Sequence, residues 1–171
     1  MLHDDARKNP ASRVLALGLF FLACFLAAGL GSLFTMGSLF TMGSLGSWYA
    51  GLAKPLWNPP GWVFGPVWSV LYAMMAVAGW MVWRRGRAVS QLALRWFAVQ
   101  LVLNVGWSAV FFGLRLPGLA FVEILVLWVA IAAMLVTSWK VSRAAGILLA
   151  PYLLWVSFAA VLNFAIWRLN T

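Results

Sequence analysis

The sequence predicts an all-α integral membrane protein, a bundle of five transmembrane helices. Three observations carry that prediction. Of 171 residues, 65% are hydrophobic and 9% charged, whereas a soluble domain carries about 25% charged residues. Five long apolar stretches each meet the ~20 residues needed to cross a ~30 Å hydrocarbon core. The twelve lysines and arginines fall in short clusters between those stretches, where they act as topology signals.

Residues 1–12 read as a polar N-terminal tail, followed by one membrane domain over 13–171. The first helix is expected at about 13–36. Its basic start resembles a signal peptide, but the apolar run outlasts a signal core, so it reads as a retained span. Gly18, Ala23, Ala27, Gly29 and Gly31 supply small residues for close helix contact. A tandem hexapeptide, SLFTMG at 32–37 and again at 38–43, is too short to be a repeat architecture. It is read as a lengthened exit from helix 1.

The stretch Trp48 to Tyr72 reads WYAGLAKPLWNPPGWVFGPVWSVLY. Pro55, Pro59 and Pro60 remove backbone donors and push their preceding residues out of helical space, so no helix runs through 54–60. A stiff, aromatic-walled lid loop is expected at about 46–60, carrying Trp48, Tyr49, Lys54, Pro55 and Trp57. Further helices are expected at 61–83, 92–114, 118–139 and 145–168, the first of them tolerating Pro66. Arg84, Arg85, Arg87, Lys140 and Arg143 punctuate their ends.

Five spans alternate in direction. The N-terminal end then gathers Arg7, Lys8, Arg13, Arg84, Arg85, Arg87, Arg95, Lys140 and Arg143, against Lys54, Arg115 and Arg168 at the other. That bias favours a cytoplasmic N-terminus in a bacterial cell membrane. Despite a net charge of +9, the basic residues form no stripe for nucleic acid. One histidine, His3, and one cysteine, Cys24, build no metal site and no intrachain disulfide.

Acid–base catalysis needs neighbouring titratable groups, and the spans hold one carboxylate, Glu123. An intramembrane acid is a functional candidate by default. It reads either as the proton or cation site of a small exporter or, by preference, as a structural group paired with a hydroxyl or with Arg115. Gln100, Asn104 and Ser108 share one helical face with Trp107 and Phe111 nearby. That face serves interhelical hydrogen bonding or the orientation of a ligand. Trp68 and Tyr72 are one turn apart, and Tyr152, Trp155 and Ala159 follow helical spacing, with Asn163 beyond. Trp83, Trp96, Trp139 and Trp167 fit interfacial belts. Trp68, Trp107 and Trp155 lie deeper and suit an aromatic pocket for a large, flat, apolar ligand.

The Trp48–Tyr72 stretch, with QLVLNVGWSAVFFG at 100–113 and PYLLWVSFAAVLNFAIWR at 151–168, resembles the tryptophan-rich sensory protein family. That family includes the translocator proteins, or peripheral-type benzodiazepine receptors. The resemblance covers about 45–168. It implies a five-helix bundle, commonly a homodimer, that binds porphyrin, haem, sterols and benzodiazepine-type drugs beneath its first loop, with no cofactor required. By position it implies that Trp68 and Trp155 face bound porphyrin and take part in its light- and oxygen-dependent breakdown. Asn104 and Trp107 match pocket residues, Trp48, Tyr49, Lys54, Pro55 and Trp57 match the lid, and Ala159 falls where sterol and drug sensitivity is set. A sterol motif of animal members needs a tyrosine where this chain has Phe164, which argues against cholesterol. The family is described with its N-terminus outside, opposite to the charge count. A tetrapyrrole-binding sensor, carrier or scavenger is the leading expectation. Photo-oxidative degradation through Trp68 and Trp155, and a proton-coupled exporter using Glu123, are the alternatives.

Overall fold

In lipid every backbone polar group must be satisfied within the protein, and helices do this within a single segment. The computed structural model describes residues 9–40 and 45–171. It resolves this requirement as six α-helices among the described residues: α1 (Pro10–Phe40), α2 (Leu45–Gly51), α3 (Gly61–Trp83), α4 (Arg87–Ser108), α5 (Pro117–Val141) and α6 (Arg143–Leu169). A π-helical turn, Ala109–Gly113, prolongs α4. All but α2 are long and apolar enough to cross a membrane, the π turn completing the third crossing.

The five long helices close into a ring. α1 packs against α3 and α4, α3 against α6, α6 against α5, and α5 against α4. Lipid tails are as apolar as leucine, so close packing of small residues must hold such a ring together. Ala76, Ala78, Gly79, Ala120, Ala130, Ala145 and Gly146 accordingly lie inside, while Val14, Leu15, Leu19, Leu154 and Val161 face outward. Three close approaches need glycine, one of them Gly79, where a Cβ would meet the Phe20 ring at 2.8 Å. A Cβ on Gly146 would meet Trp139 at 2.5 Å, and one on Gly118 would meet the Trp167 indole at 2.8 Å. The small residues of α1 divide: Cys24 and Ala27 are buried, Gly31 abuts Ser108, and Gly18 and Gly29 have nothing within 4 Å.

Boundaries depart from expectation where local chemistry acts. α1 begins at Pro10, not 13, because Asn9 caps it: the Ala11 N–H donates to Asn9 Oδ1 at 3.0 Å, and proline suits the first helical position. Residues 1–8 of the expected tail lie outside the described residues. α1 also continues past 36 to Phe40, so the first hexapeptide and the start of the second are helical, while Thr41–Gly43 lie outside the described residues. α4 starts at Arg87 rather than 92, since Gly86 at φ 101° turns the chain in one residue and the Ser90 hydroxyl donates back to its carbonyl at 2.6 Å. α5 and α6 are each longer than expected by one to two residues at both ends. The expected lid loop is part helix: Trp48 and Tyr49 ride on α2, and only Leu52–Pro60 is irregular.

Candidate functional site

The ring places the lid and the C-terminus at one end and the Arg84–Arg85 turn at the other. Beneath the lid, five ring contacts descend the seam between α3 and α6. Trp57 of the lid meets Phe158 at 5.9 Å between ring centroids. Phe158 meets Trp155 at 5.4 Å, and Trp155 meets Phe64 at 5.9 Å. One helical turn deeper, Trp68 lies against Tyr152 at 6.2 Å and against Tyr72 at 5.6 Å. The helices run antiparallel here, so Phe64–Trp155 and Trp68–Tyr152 form successive rungs. Trp68 and Trp155 therefore share the seam without touching each other's rings.

At the foot of the seam the rings end in a hydrogen-bonded chain. Tyr72 donates to Asn104 Oδ1 at 2.6 Å, Asn104 Nδ2 donates to the Tyr152 hydroxyl at 2.9 Å, and Tyr152 donates to Gln100 Oε1 at 2.9 Å. Three helices are thereby tied at one level of the bundle. Asn104 spends both ends of its amide on tyrosines, an interhelical tie. A second tie follows on α4: Trp107 Nε1 donates to Asn163 Oδ1 at 3.0 Å, and Asn163 Nδ2 donates to the Pro117 carbonyl at 2.8 Å.

The lid rests on a separate aromatic patch built by the π turn. Widening the helix there keeps Phe111 and Phe112 on nearly one side, with centroids 4.8 Å apart. Trp48 reaches Phe111 at 5.9 Å, Tyr49 reaches Phe112 at 5.6 Å, and Trp107 stacks on Phe111 at 5.2 Å. π turns are frequent at functional positions. Lys54 folds back on the lid, its ammonium 4.6 Å from the Tyr49 ring centroid and donating to the Ala50 and Leu52 carbonyls at 3.2 and 3.1 Å. It thus caps α2. Burial raises the Tyr49 phenol above its ordinary pKa, and its hydroxyl donates to Asn58 Oδ1 at 3.5 Å. The Pro55 carbonyl accepts from Asn58 N–H at 2.9 Å, closing the proline turn.

The structure therefore gathers the sequence-chosen residues into two connected groups. Trp68, Tyr72, Asn104, Tyr152 and Trp155 line the seam, and Ala159 packs against the same core. Trp107, Phe111, Trp48 and Tyr49 form the lid platform. Phe64, Phe158 and Gln100 belong to the seam and were not singled out as its lining; Phe64 lies four residues before Trp68 and Phe158 three after Trp155, a helical spacing that would have found them. Asn170 was also missed. Its side chain accepts from the Ala53 N–H at 3.0 Å and donates to the Ala53 carbonyl at 2.9 Å, clasping the C-terminus to the lid.

Among the described residues, three buried polar groups lack a hydrogen-bond partner: Trp155 Nε1, Gln100 Nε2 and the Glu123 carboxylate, at both its oxygens. The preferred reading of Glu123, pairing with a hydroxyl or Arg115, is thereby corrected. The carboxylate turns instead toward α4, where a Cβ on Gly106 would lie 3.6 Å from Oε1.

A sequence model of the TspO/MBR family matches residues 8–168. The chain is 43% identical to the tryptophan-rich protein TspO of Chlorobaculum tepidum, over 92% of this chain and 98% of that one. It is 44% identical to the human translocator protein over 72% of this chain and 75% of that one. With the protein CrtK of Rhodobacter capsulatus it shares 38% identity over 88% and 90%. The five apolar crossings and these matches together make the chain a multi-pass integral membrane protein that belongs to the TspO/MBR family.

Proposed function

We propose that the protein binds planar, largely apolar ligands of the tetrapyrrole class, porphyrin or haem, in the α3–α6 seam, and serves as a membrane sensor, carrier or scavenger. The observation that carries this reading is the Trp155 indole N–H, buried without a partner in an otherwise aromatic wall. A buried donor left unpaired costs about 1–3 kcal/mol. A guest offering an acceptor there recovers that cost while its ring faces stack on Trp68 and Trp155. The rungs already touch, so entry requires them to part, and the lid held by Asn170 and the π turn is the element that yields.

The names of the relatives, translocator and tryptophan-rich protein, fit a sensor- or transporter-type role. Benzodiazepine-type drugs suit the same seam. Sterol is the weaker candidate, because Phe164 replaces the tyrosine of the sterol motif and is committed to Phe121 at 5.1 Å. The same proposal has the protein act in a bacterial cell membrane as a homodimer; the unfilled Gly18 and Gly29 positions of α1, suited to a close helix partner, support the dimer.

The test is a dark titration of the purified chain with protoporphyrin IX, read by tryptophan quenching. Trp155→Phe keeps the ring and removes the donor, and should raise Kd about fivefold, the value of one ordinary hydrogen bond. Unchanged Kd and quenching would remove Trp155 from the site. Illumination of the complex extends the test: a new absorbing product that requires both Trp68 and Trp155 identifies degradation rather than storage. One observation favours a second reading, the unpartnered Glu123 carboxylate. If the protein is a proton-coupled exporter, Glu123→Gln abolishes pH-dependent efflux and leaves porphyrin affinity alone; efflux that survives the substitution excludes it.

A further inference from the structure

The end of the bundle opposite the lid holds a cleft of about 360 Å³, lined by Arg13, Met81, Arg84, Arg85 and Ser142. Its size lies near the lower limit for small-molecule sites, and its walls are cationic where those of the seam are aromatic. The arginines come from two helices that Trp80 holds in register. The Trp80 indole donates to the Arg13 carbonyl at 2.9 Å, which ties α3 to α1. The same ring lies under the Arg84 guanidinium, 4.5 Å from its centroid. One side chain thus fixes the position of α1 and orients a neighbouring charge.

The third wall is the start of α6. Ser142 stands at its N-cap in extended conformation, yet its hydroxyl makes no capping hydrogen bond. The residue is 6% exposed and lines the cleft. A serine there would ordinarily satisfy one of the free N–H groups of the first turn. The N-terminus of α6 is left as an electropositive, donor-bearing edge of a cavity that three arginines also line. Helix N-termini and arginine forks are each suited to phosphate oxygens, and basic pockets between helices at a membrane face take phospholipid headgroups.

The geometry points to a binding site for a phosphate-bearing anion in the Arg13–Arg84–Arg85–Ser142 cleft, with the headgroup of an anionic phospholipid as its occupant. Arg84 and Arg85 are exposed at the end of a membrane-crossing helix, where a headgroup lies within reach while its acyl chains stay in the bilayer. Met81, one turn deeper on α3, supplies the apolar contact below the phosphate. Because the site is remote from the seam, it stands whether or not the porphyrin reading does.

The experiment uses the full chain in nanodiscs of phosphatidylcholine with increasing phosphatidylglycerol, counting retained lipid by native mass spectrometry. The wild type should retain phosphatidylglycerol over phosphatidylcholine. Removing both charges together, Arg84→Gln with Arg85→Gln, should weaken retention about thirtyfold at low salt, roughly one surface-lipid increment per arginine. Ser142→Ala should weaken it less. Lys140→Gln with Arg143→Gln removes the same charge from the same end without touching the cleft. A loss as large in that control would show a diffuse basic surface and overturn the site. Inorganic phosphate in a second arm separates the sources. Phosphate that displaces lipid at millimolar concentration in the wild type, and not in the arginine variant, makes the free anion the occupant. Retention of phosphatidylglycerol indifferent to phosphate makes it the lipid. A wild type that distinguishes neither ligand from phosphatidylcholine leaves the proposal without support and ends it.

Discussion

The two ends of this bundle solve opposite problems with the same residue type. At the lid end, tryptophan lies among other rings: Trp57, Trp155 and Trp68 descend the α3–α6 seam, and Trp48 and Trp107 support the lid on Phe111. At the basic end, Trp80 faces a guanidinium and a carbonyl, and Trp139 fills the space over Gly146. An indole surrounded by rings makes a wall that a flat guest can replace ring for ring. An indole fixed by a carbonyl and a cation is a strut. Tryptophan content alone therefore says little; the neighbours decide whether a ring is exchangeable or structural.

The sharpest way to break the comparison is at the foot of the seam, where the lid end ceases to be exchangeable. Asn104→Leu strands the hydroxyl of Tyr72 and removes the donor to Tyr152, which keeps only its bond to Gln100, whose Nε2 already lacks a partner. Each stranded group costs about 1–3 kcal/mol, although in membranes the unfolded reference state recovers part of it. A net loss of about 3 kcal/mol lowers Tm by roughly 5–10 °C for a chain of this size. A thermal melt of the variant in detergent checks this. A shift below about 2 °C would mean that the tyrosines find other partners and that the amide is available to a ligand after all.

How much of this was legible beforehand follows from what periodicity encodes. The five crossings were, because length and apolarity decide them, and α3 was placed to the residue. The shared face of Gln100, Asn104 and Ser108 was also legible, but not the tyrosines it meets, since helical spacing gives a face and never the register of the helix opposite. The start of α1 was written in Asn9-Pro10 and was passed over in favour of the basic residues beside it. The π turn has no such signature: Ala109–Gly113 continues an ordinary helical pattern, and only its packing against α1, α5 and the rings of α2 distinguishes it. The Ala53–Asn170 clasp joins positions 117 apart, beyond the reach of any local signal.

A middle-sized effect tests whether the basic end is as rigid as its struts imply. An alanine methyl at Gly146 would meet the Trp139 ring at 2.5 Å and its Cα at 3.1 Å, and backbone does not step aside cheaply. Overpacking of this kind costs about 1–3 kcal/mol, and Gly146→Ala should lower Tm by roughly 4–6 °C. Gly65→Ala on α3, where nothing lies within 4 Å, is the control and should leave Tm unchanged or slightly higher. If both variants melt alike, the α5–α6 junction gives more readily than its packing indicates.

The smallest effect is expected where the lid end meets the C-terminus, and it bears on the route by which a guest enters. Asn170 holds Ala53 through both groups of its amide while its Nδ2 also donates to the Ile166 carbonyl at 2.7 Å. The two bonds to Ala53 are exposed, so water replaces them at little cost, about 1 kcal/mol in all. Asn170→Ala should leave Tm nearly unchanged and speed amide exchange at Ala53 about fivefold, because local opening there no longer breaks a side-chain clasp. Exchange at Phe111 and Phe112, under the rings of Trp48 and Tyr49, should not move. A clasp that gates the seam would also shorten the residence of protoporphyrin by a similar factor without altering quenching at saturation. Faster exchange with unaltered residence would assign the gate to the ring contacts on the π turn instead.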